Sequence, residues 1–245
     1  MIKKKPLNKR KAFTLIEVII AMAIFCVLLV AVYKLFIGGS KTANKGQWIN
    51  TTVEQTRNTL SFINNEVNSA TYPSAVLKDT IYDTSKNATV AKEYYLRVLK
   101  DDENIKVPDS GELKIMEWHV CKAEKREENE PGTITDYELY LSFNNKAGSS
   151  NTGNLVLKSK YYTFEKYYET KKLSKQPDKN KKDTKKILVE DVEWVKFNVI
   201  GNLPPKTTKD NSSLKVTIHT LYPKDTNVFK ENSILATPKV AIDLL

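Results

Sequence analysis

Apolar residues are concentrated in one stretch near the start of the chain, residues 13–37. Of these 25 positions 22 are apolar, and the 16 from Val18 to Tyr33 are apolar without interruption. An α-helix of this length measures roughly 38 Å, which is enough to cross the ~30 Å hydrocarbon core of a bilayer. The pattern therefore predicts a transmembrane helix over residues 13–37.

A second pattern with helical periodicity follows over residues 38–70. Small and apolar residues recur every three or four positions on one face, at Ile49, Val53, Thr56, Leu60, Ile63, Val67 and Ala70. The opposite face carries Glu54, Arg57, Asn58, Asn65 and Asn68. This spacing is typical of an amphipathic helix, so residues 38–70 are predicted to bury one side against other structure.

The two helical patterns are predicted to form one continuous helix from about Phe13 to about Ala70. Gly38-Gly39-Ser40 separates them and marks a bend or softening, whereas Tyr72-Pro73 ends the pattern. Such a helix is roughly 87 Å long. A long coiled coil is the alternative, but the globular sequence that follows favours packing against a sheet.

Residues 71–245 have the pattern of one β-rich globular domain. Candidate strands span 76–82, 91–100, 113–121, 135–143, 154–164, 187–200, 214–222 and 234–243. The clearest alternations are Tyr137/Leu139/Leu141/Phe143 and Leu214/Val216/Ile218/Thr220. We therefore expect an α+β fold in which a long N-terminal helix, first hydrophobic and then amphipathic, packs on an antiparallel β-sheet.

The net charge of +10 comes from two short segments. Residues 1–12 carry six positive charges and no negative ones, and Lys171–Lys186 has a net charge of +6. Removing the first segment leaves +4, and removing the second as well leaves −2. A basic segment before an apolar helix stays cytoplasmic, so residues after the helix are expected outside.

Glu17 distinguishes the apolar stretch from an ordinary signal sequence. A secretory signal peptide is disfavoured because no small-residue cleavage site follows the apolar run. A plain signal anchor is the better alternative, but a carboxylate within such a segment costs a few kcal/mol and normally has a partner or a function. Glu17 is thus a candidate functional residue.

The residues from Lys11 to Phe25, KAFTLIEVIIAMAIF, resemble the N-terminal processing signal of type IV pilins and type II secretion pseudopilins. The resemblance implies that prepilin peptidase cleaves between Ala12 and Phe13 and that the new N-terminus, Phe13, is methylated. It also implies that Glu17 meets the N-terminal ammonium of a neighbouring subunit and sets register during assembly. Gly is usual before the cut, so Ala12 predicts slower processing.

The same resemblance implies a pilin-like fold, a location and a set of partners. The precursor would be a single-pass protein of the cytoplasmic membrane, with its globular domain outside, and would then enter an extracellular pilus or a periplasmic pseudopilus. Its partners would be other pilins or pseudopilins, prepilin peptidase, the membrane and the pilus assembly platform. No cofactor is implied.

Three further segments look like parts of J-type pseudopilins and the related minor pilins called PilW. Leu60–Val67 resembles the end of their helix. Their central hairpin is similar to Tyr137–Leu141 with Asn154–Leu157, and their last strands are similar to Ile187–Phe197 with Leu214–Ile218. This implies a minor pilin that primes or caps assembly of a type IV pilus. A J-type pseudopilin of a type II secretion system, or a pilus subunit for adhesion or DNA binding, is the alternative.

The lysine-rich segment 171–186 is interpreted as a mobile loop with two alternative roles. Its lysines are Lys171, Lys172, Lys175, Lys179, Lys181, Lys182, Lys185 and Lys186. They form a candidate contact for a polyanion such as nucleic acid, since lysines release counterions from phosphates. The alternative is a solvated loop, which the scarcity of arginine favours because arginine provides bidentate phosphate recognition.

Catalytic and metal-binding patterns are not found in the sequence. It contains no phosphate-binding glycine loop, no G-x-S-x-G and no H-E-x-x-H. The two histidines, His119 and His219, lie in separate predicted strands, and Cys26 and Cys121 are expected to be free thiols. We therefore expect a structural protein, and a membrane-anchored envelope enzyme is disfavoured.

Overall fold

The computed structural model describes residues 14–71, 96–123, 132–144, 152–166, 173–206 and 212–245. In chain order its elements are α1 (Leu15–Asn68), β1 (Leu96–Val98), β2 (Asn104–Lys106), β3 (Glu112–Ala123), β4 (Gly132–Phe143), β5 (Gly153–Lys166), β6 (Leu173–Pro177), β7 (Thr184–Ile200), β8 (Ser213–Leu221), β9 (Phe229–Ala236) and β10 (Ile242–Leu244). One long helix followed by a large sheet confirms the predicted α+β fold. The chain comprises two units, Met1–Gln47 and Trp48–Leu245.

The first unit contains the apolar part of α1. Helical structure continues without a break through Gly38-Gly39-Ser40, where the Thr42 hydroxyl donates a hydrogen bond to the Gly38 carbonyl at 3.0 Å. The large apolar side chains between Leu15 and Phe36 are 44–79% exposed. An apolar surface of this extent is stable only in lipid or against other apolar surfaces.

In the second unit, the C-terminal part of α1 buries one face against the sheet. The buried helix residues are Thr52, Thr56, Thr59, Leu60, Ile63 and Val67. The predicted face is correct at four of these positions, Thr56, Leu60, Ile63 and Val67. Two other residues of that face, Ile49 and Val53, are only half-buried. The Thr56 hydroxyl donates a hydrogen bond to the Thr52 carbonyl at 2.7 Å, and the Thr59 hydroxyl donates one to the Leu188 carbonyl at 3.2 Å. Because their hydroxyls have these partners, the two threonines can occupy buried positions.

The ten strands of the described residues form one sheet in the order β10-β1-β3-β4-β5-β7-β8-β9. In addition, β2 pairs with β7 and β6 pairs with β5. All pairs are antiparallel except β1 with β10, which is parallel. The sheet is thus mixed rather than purely antiparallel as expected. The C-terminal residues cross to the far edge and run beside β1 in its own direction, a non-local pairing that strand alternation does not encode.

The core lies between α1 and the facing side of the sheet. Side chains with 0% exposure include Ile63 from the helix, Trp118 from β3 and Phe197 from β7. The two clear alternations are buried as expected at Leu139, Leu141, Leu214, Val216, Ile218 and Thr220. Phe143, at the end of its alternation, is 37% exposed.

Two predicted elements differ from the structure. The strand predicted at 234–243 was wrong: β9 ends at Ala236 and β10 begins at Ile242. Pro238 lies between them and lacks the N–H that a continuous ladder requires. Of the other predictions, 76–82 lies outside the described residues. Of the strand predicted at 91–100, residues 96–100 are described, and 96–98 of these form β1.

The interpretation of 171–186 as a loop was wrong for most of its described part. Residues 173–177 form β6, whose pairing with β5 runs from Tyr162↔Pro177 to Lys166↔Leu173. Thr184 begins β7, so only residues 178–183 connect the two strands. Lysine has a low strand propensity. Here β5 extends beyond the part that pairs with β7, and this extension pairs with β6.

Candidate functional sites

The N-terminal candidate site begins at the edge of the described structure. Ala12 and Phe13, the predicted cleavage and methylation residues, lie outside the described residues. Thr14 is the first described residue and precedes α1. The geometry of this site therefore rests on Thr14 and Glu17.

Thr14 and Glu17 form a reciprocal cap at the start of α1. The Thr14 amide and hydroxyl donate to Oε2 of Glu17 at 2.8 and 2.9 Å, and the Glu17 amide donates to the Thr14 hydroxyl at 3.4 Å. This arrangement satisfies N–H groups that have no partner within the helix. The S/T-x-x-E spacing in Thr14–Glu17 was a visible signal that the sequence analysis missed.

Glu17 thus has a partner within its own subunit. Both bonds from Thr14 use Oε2. Among the described residues, Oε1 makes no hydrogen bond. The negative charge also lies at the positive end of the helix dipole, which stabilises it. One carboxylate oxygen can therefore cap the helix while the other remains able to accept a bond.

The helix that begins at this cap is able to cross a membrane. By length and composition, α1 is a candidate membrane span near the N-terminus, and none of its apolar window is buried. The cap lies at one end of this span. Glu17 therefore lies at the N-terminal end of the apolar segment.

A second group of contacts joins α1 to the sheet within the second unit. The Trp48 indole Nε1 donates to Oδ2 of Asp191 at 2.9 Å, and its ring lies 5.1 Å from that of Tyr222. Asp191 has a φ of 56°, in the left-handed region, where β7 departs from regular pairing. Sequence analysis did not find these residues, because Trp48 and Asp191 are far apart in the chain.

The lysines of 171–186 fall into three groups. Lys171 and Lys172 lie outside the described residues, as does the side chain of Lys175. Lys185 is paired with Oε1 of Glu112 at 2.7 Å, and Oε2 of the same carboxylate pairs with Lys158 at 2.6 Å. Hydrogen bonds from Lys158 and then Lys185 lower the pKa of Glu112. Lys185 is thus already neutralised by its own sheet.

The remaining lysines, Lys179, Lys181, Lys182 and Lys186, are exposed. In the part of the chain that the structure describes, none of the four makes an ion pair. The Lys181 Nζ lies 5.6 Å from the centroid of the Tyr161 ring. These four ammonium groups are consequently the ones available to an external anion.

Each histidine has a partner that the sequence did not predict. His119 Nδ1 lies 2.6 Å from Oδ1 of Asp136 on the neighbouring strand. His219 is stacked between Trp194 and Phe229, and its Nδ1 lies 3.1 Å from a Glu193 carboxylate oxygen. Such contacts order a sheet surface.

The described residues contain neither a metal-binding cluster nor a disulfide. There, no group of three or more His, Cys, Asp or Glu side chains is placed to hold a metal ion. Cys26 is exposed and Cys121 is buried, and among the described residues neither forms a disulfide.

Comparison with known proteins finds one match, at the N-terminus. No curated protein and no solved structure shows significant similarity to the chain. Residues 7–33 match the family model described as the prokaryotic N-terminal methylation motif, a range that contains Ala12, Phe13 and Glu17. This match supports the type IV pilin and pseudopilin family, whose role is structural. The motif and the apolar helix that follows it fit the precursor of a pilin or pseudopilin.

Proposed function

We propose that this chain is the precursor of a minor pilin, a structural subunit that primes or caps a type IV pilus. Prepilin peptidase removes residues 1–12 by cutting between Ala12 and Phe13 and methylates Phe13. A J-type pseudopilin of a type II secretion system is the alternative, since the same helix and the same motif would serve it.

The observation that carries this proposal is the exposed apolar surface of α1 inside the matched motif. The match covers residues 7–33, and the large side chains from Leu15 to Phe36 are 44–79% exposed. Before assembly the bilayer covers this surface, and in a filament the helices of neighbouring subunits cover it. Cleavage on the cytoplasmic side leaves the helix able to leave the membrane along its axis.

The cap at Thr14 supports a role for Glu17 in both states. In the single subunit Glu17 bonds to Thr14 through Oε2. During assembly the N-terminal ammonium of a neighbour would bind the same carboxylate, and the attraction is strong because hydrocarbon screens charges little. Glu17 would thereby set the register between adjacent helices.

The second unit supports a specialised subunit. Its long mixed sheet, held to α1 by Trp48 and Asp191, is large enough to present surfaces to other minor subunits. Its partners would be other pilins, prepilin peptidase and the assembly platform in the cytoplasmic membrane. The globular unit lies outside that membrane and then in an extracellular pilus, or in a periplasmic pseudopilus under the alternative.

Mass spectrometry of the N-terminus tests the proposal. The full-length gene would be expressed in its host, and the protein recovered from membranes and from sheared filaments. We expect assembled protein to begin at Phe13 and to carry one methyl group there. Ala12→Gly should be processed at least as fast, whereas assembled material that retains Met1 would refute processing.

The second question, pilus or secretion system, needs a separate measurement. Deletion of the gene should reduce the number of surface filaments if the subunit belongs to a pilus. A loss of secreted proteins with normal pili would favour the pseudopilin alternative.

A further inference from the structure

The turn between β6 and β7 is an ordered feature beside Tyr161. The Asp178 amide donates to the Tyr161 carbonyl at 2.9 Å, and Oδ1 of Asp178 accepts from the Asn180 amide at 2.8 Å. The Lys181 amide donates to the Asp178 carbonyl at 3.4 Å. An aspartate that bonds the backbone two residues on stabilises a defined turn. The turn is therefore attached to β5 at Asp178.

Carboxylates of the sheet neutralise the lysines that flank this turn. Glu112 holds Lys158 and Lys185, and Glu138 holds Lys160 at 3.2 Å. The hydrogen bond to Glu138 raises the pKa of Lys160. These ammonium groups are structural, which separates them from the lysines of the turn itself.

The unpaired lysines extend over eight residues, from Lys179 to Lys186. Lys179, Lys181, Lys182 and Lys186 are all exposed and, among the described residues, none makes an ion pair. Lys181 also sets its ammonium 5.6 Å from the centroid of the half-buried Tyr161 ring. The Lys181 ammonium thus lies near an aromatic ring, and the other three lysines belong to the same turn or to the start of β7.

We propose that this turn and the adjoining start of β7 bind single-stranded nucleic acid, with the four lysines contacting phosphates and the Tyr161 ring stacking on a base. Lysine ammonium groups gain affinity by releasing phosphate counterions, and base stacking on an aromatic ring accepts any sequence. The lysine ammonium is a compact charge without the planar fork of arginine, so it suits contacts with phosphates that do not depend on the base sequence. A duplex keeps its base faces stacked inside, so the ring selects single strands. This function goes beyond filament assembly and does not depend on it.

Fluorescence anisotropy with a labelled oligothymidylate would measure this binding on the full chain in detergent micelles. The test variant is K179Q/K181Q/K182Q/K186Q. Its matched control is K122Q/K215Q/K224Q/K239Q, which removes four exposed lysines that lie elsewhere in the second unit and make no ion pair among the described residues. Both variants keep residues 1–12, so any binding by that basic segment is common to them.

We expect the test variant to lose about tenfold or more in affinity, while the control loses little. The slope of log affinity against log salt should fall by about 3 in the test variant, because each phosphate contact on a single strand contributes about 0.7. Equal losses in the two variants would refute the site. Far-ultraviolet circular dichroism would verify that both variants remain folded.

Tyr161 distinguishes nucleic acid from other polyanions. Tyr161→Leu should weaken binding of the oligothymidylate about tenfold, because it removes the ring on which a base stacks, and Tyr161→Phe should retain binding. Binding of inorganic polyphosphate should be the same in all three proteins. If Tyr161→Leu has no effect, or if a duplex binds as tightly as the single strand, the proposal for nucleic acid is wrong.

Discussion

Trp48 on α1 donates a hydrogen bond from its indole nitrogen to the carboxylate of Asp191 on β7, at 2.9 Å and across 143 residues of sequence. Asp191 adopts a left-handed backbone conformation with φ of 56°, which aspartate tolerates better than most residues. The bond is partly buried. It therefore ties the amphipathic part of the helix to one place on the sheet.

Removing this bond should destabilise the second unit. Trp48→Phe keeps an aromatic ring beside Tyr222 but has no N–H, so we expect a loss of about 1 kcal/mol in the free energy of unfolding. Asp191→Ala should lose at least as much, because alanine also tolerates the positive φ poorly. Asp191→Asn keeps a side-chain oxygen that can accept the Trp48 bond and also tolerates a positive φ, so its free energy of unfolding should be close to that of the original protein. Urea unfolding followed by circular dichroism would measure these differences; equal stabilities for the alanine and asparagine variants would contradict the role of the bond.

Replacing Glu17 should separate membrane insertion from assembly. Glu17→Ala removes the carboxylate that would pair with the N-terminal ammonium of a neighbouring subunit. Without this carboxylate the helix is more apolar, so insertion into the membrane is not impaired. We expect normal insertion with little or no incorporation into filaments, measured by immunoblotting of the membrane and sheared fractions.

Thr14→Ala is the matched variant for the same cap. It removes the hydroxyl bond to Glu17, a loss of about 1 kcal/mol at the helix start, but leaves the charge. We expect a smaller reduction in incorporation than with Glu17→Ala. Equal defects in the two variants would indicate that capping, not the charge, limits assembly.

The pairing of Glu112 with Lys158 and Lys185 should make stability dependent on pH. Because the two lysines lower the pKa of Glu112 in the folded state, its contribution is present above the unfolded pKa of about 4.3. This contribution is lost as the pH falls through the folded pKa, which lies below that value. We expect Glu112→Gln to be less stable at pH 7 and to show a smaller loss of stability between about pH 5 and 3.

The control for Glu112 is Glu103, whose one ion pair among the described residues is with the exposed Lys100, three residues away, at 2.7 Å. Exposed pairs contribute little, so Glu103→Gln should leave both stability and its pH dependence nearly unchanged. Thermal unfolding across this pH range would compare the three proteins. An unchanged pH profile for Glu112→Gln would show that its ion pairs have no stabilising role.

Gly153 should not tolerate a side chain. It begins β5 opposite Phe143, and a Cβ there would lie 2.2 Å from the Ser142 carbonyl oxygen and 2.7 Å from Cγ1 of Val107. Because the first of these atoms is backbone, Gly153→Ala should force β4 and β5 apart and lower stability by more than about 1 kcal/mol. Gly46→Ala is the control: no atom of the described residues lies within 4 Å of a Cβ added there, and alanine favours the helix. Urea unfolding would compare them, and a neutral Gly153→Ala would contradict the close approach.

Local patterns were sufficient to predict the helix and most of the long strands. The helix was expected from about Phe13 to about Ala70 and is found at Leu15–Asn68. Strand β8 was expected at 214–222 and is found at Ser213–Leu221. These elements repeat apolar residues with the period of their own backbone, so the signal lies within each segment.

The short strands and the side-chain partners could not be predicted in this way. β2 has three residues, too few to show a period, and β6 forms because β5 extends far enough to pair with it. Lys185 looked like every other lysine of its segment until the fold placed it 2.7 Å from Glu112, which is 73 residues away. Composition counts charges, but it does not show which of them face one another.

The sequence by itself determined the N-terminal motif, the helix and the alternation of the central strands, because each is written in neighbouring residues. Only the tertiary structure decided the parallel pairing of β1 with β10, the attachment of Trp48 to Asp191 and the division of the lysines into paired and unpaired groups. Those contacts join residues distant in the chain. Their formation depends on how the strands order and register in the sheet, which burial of the whole core selects.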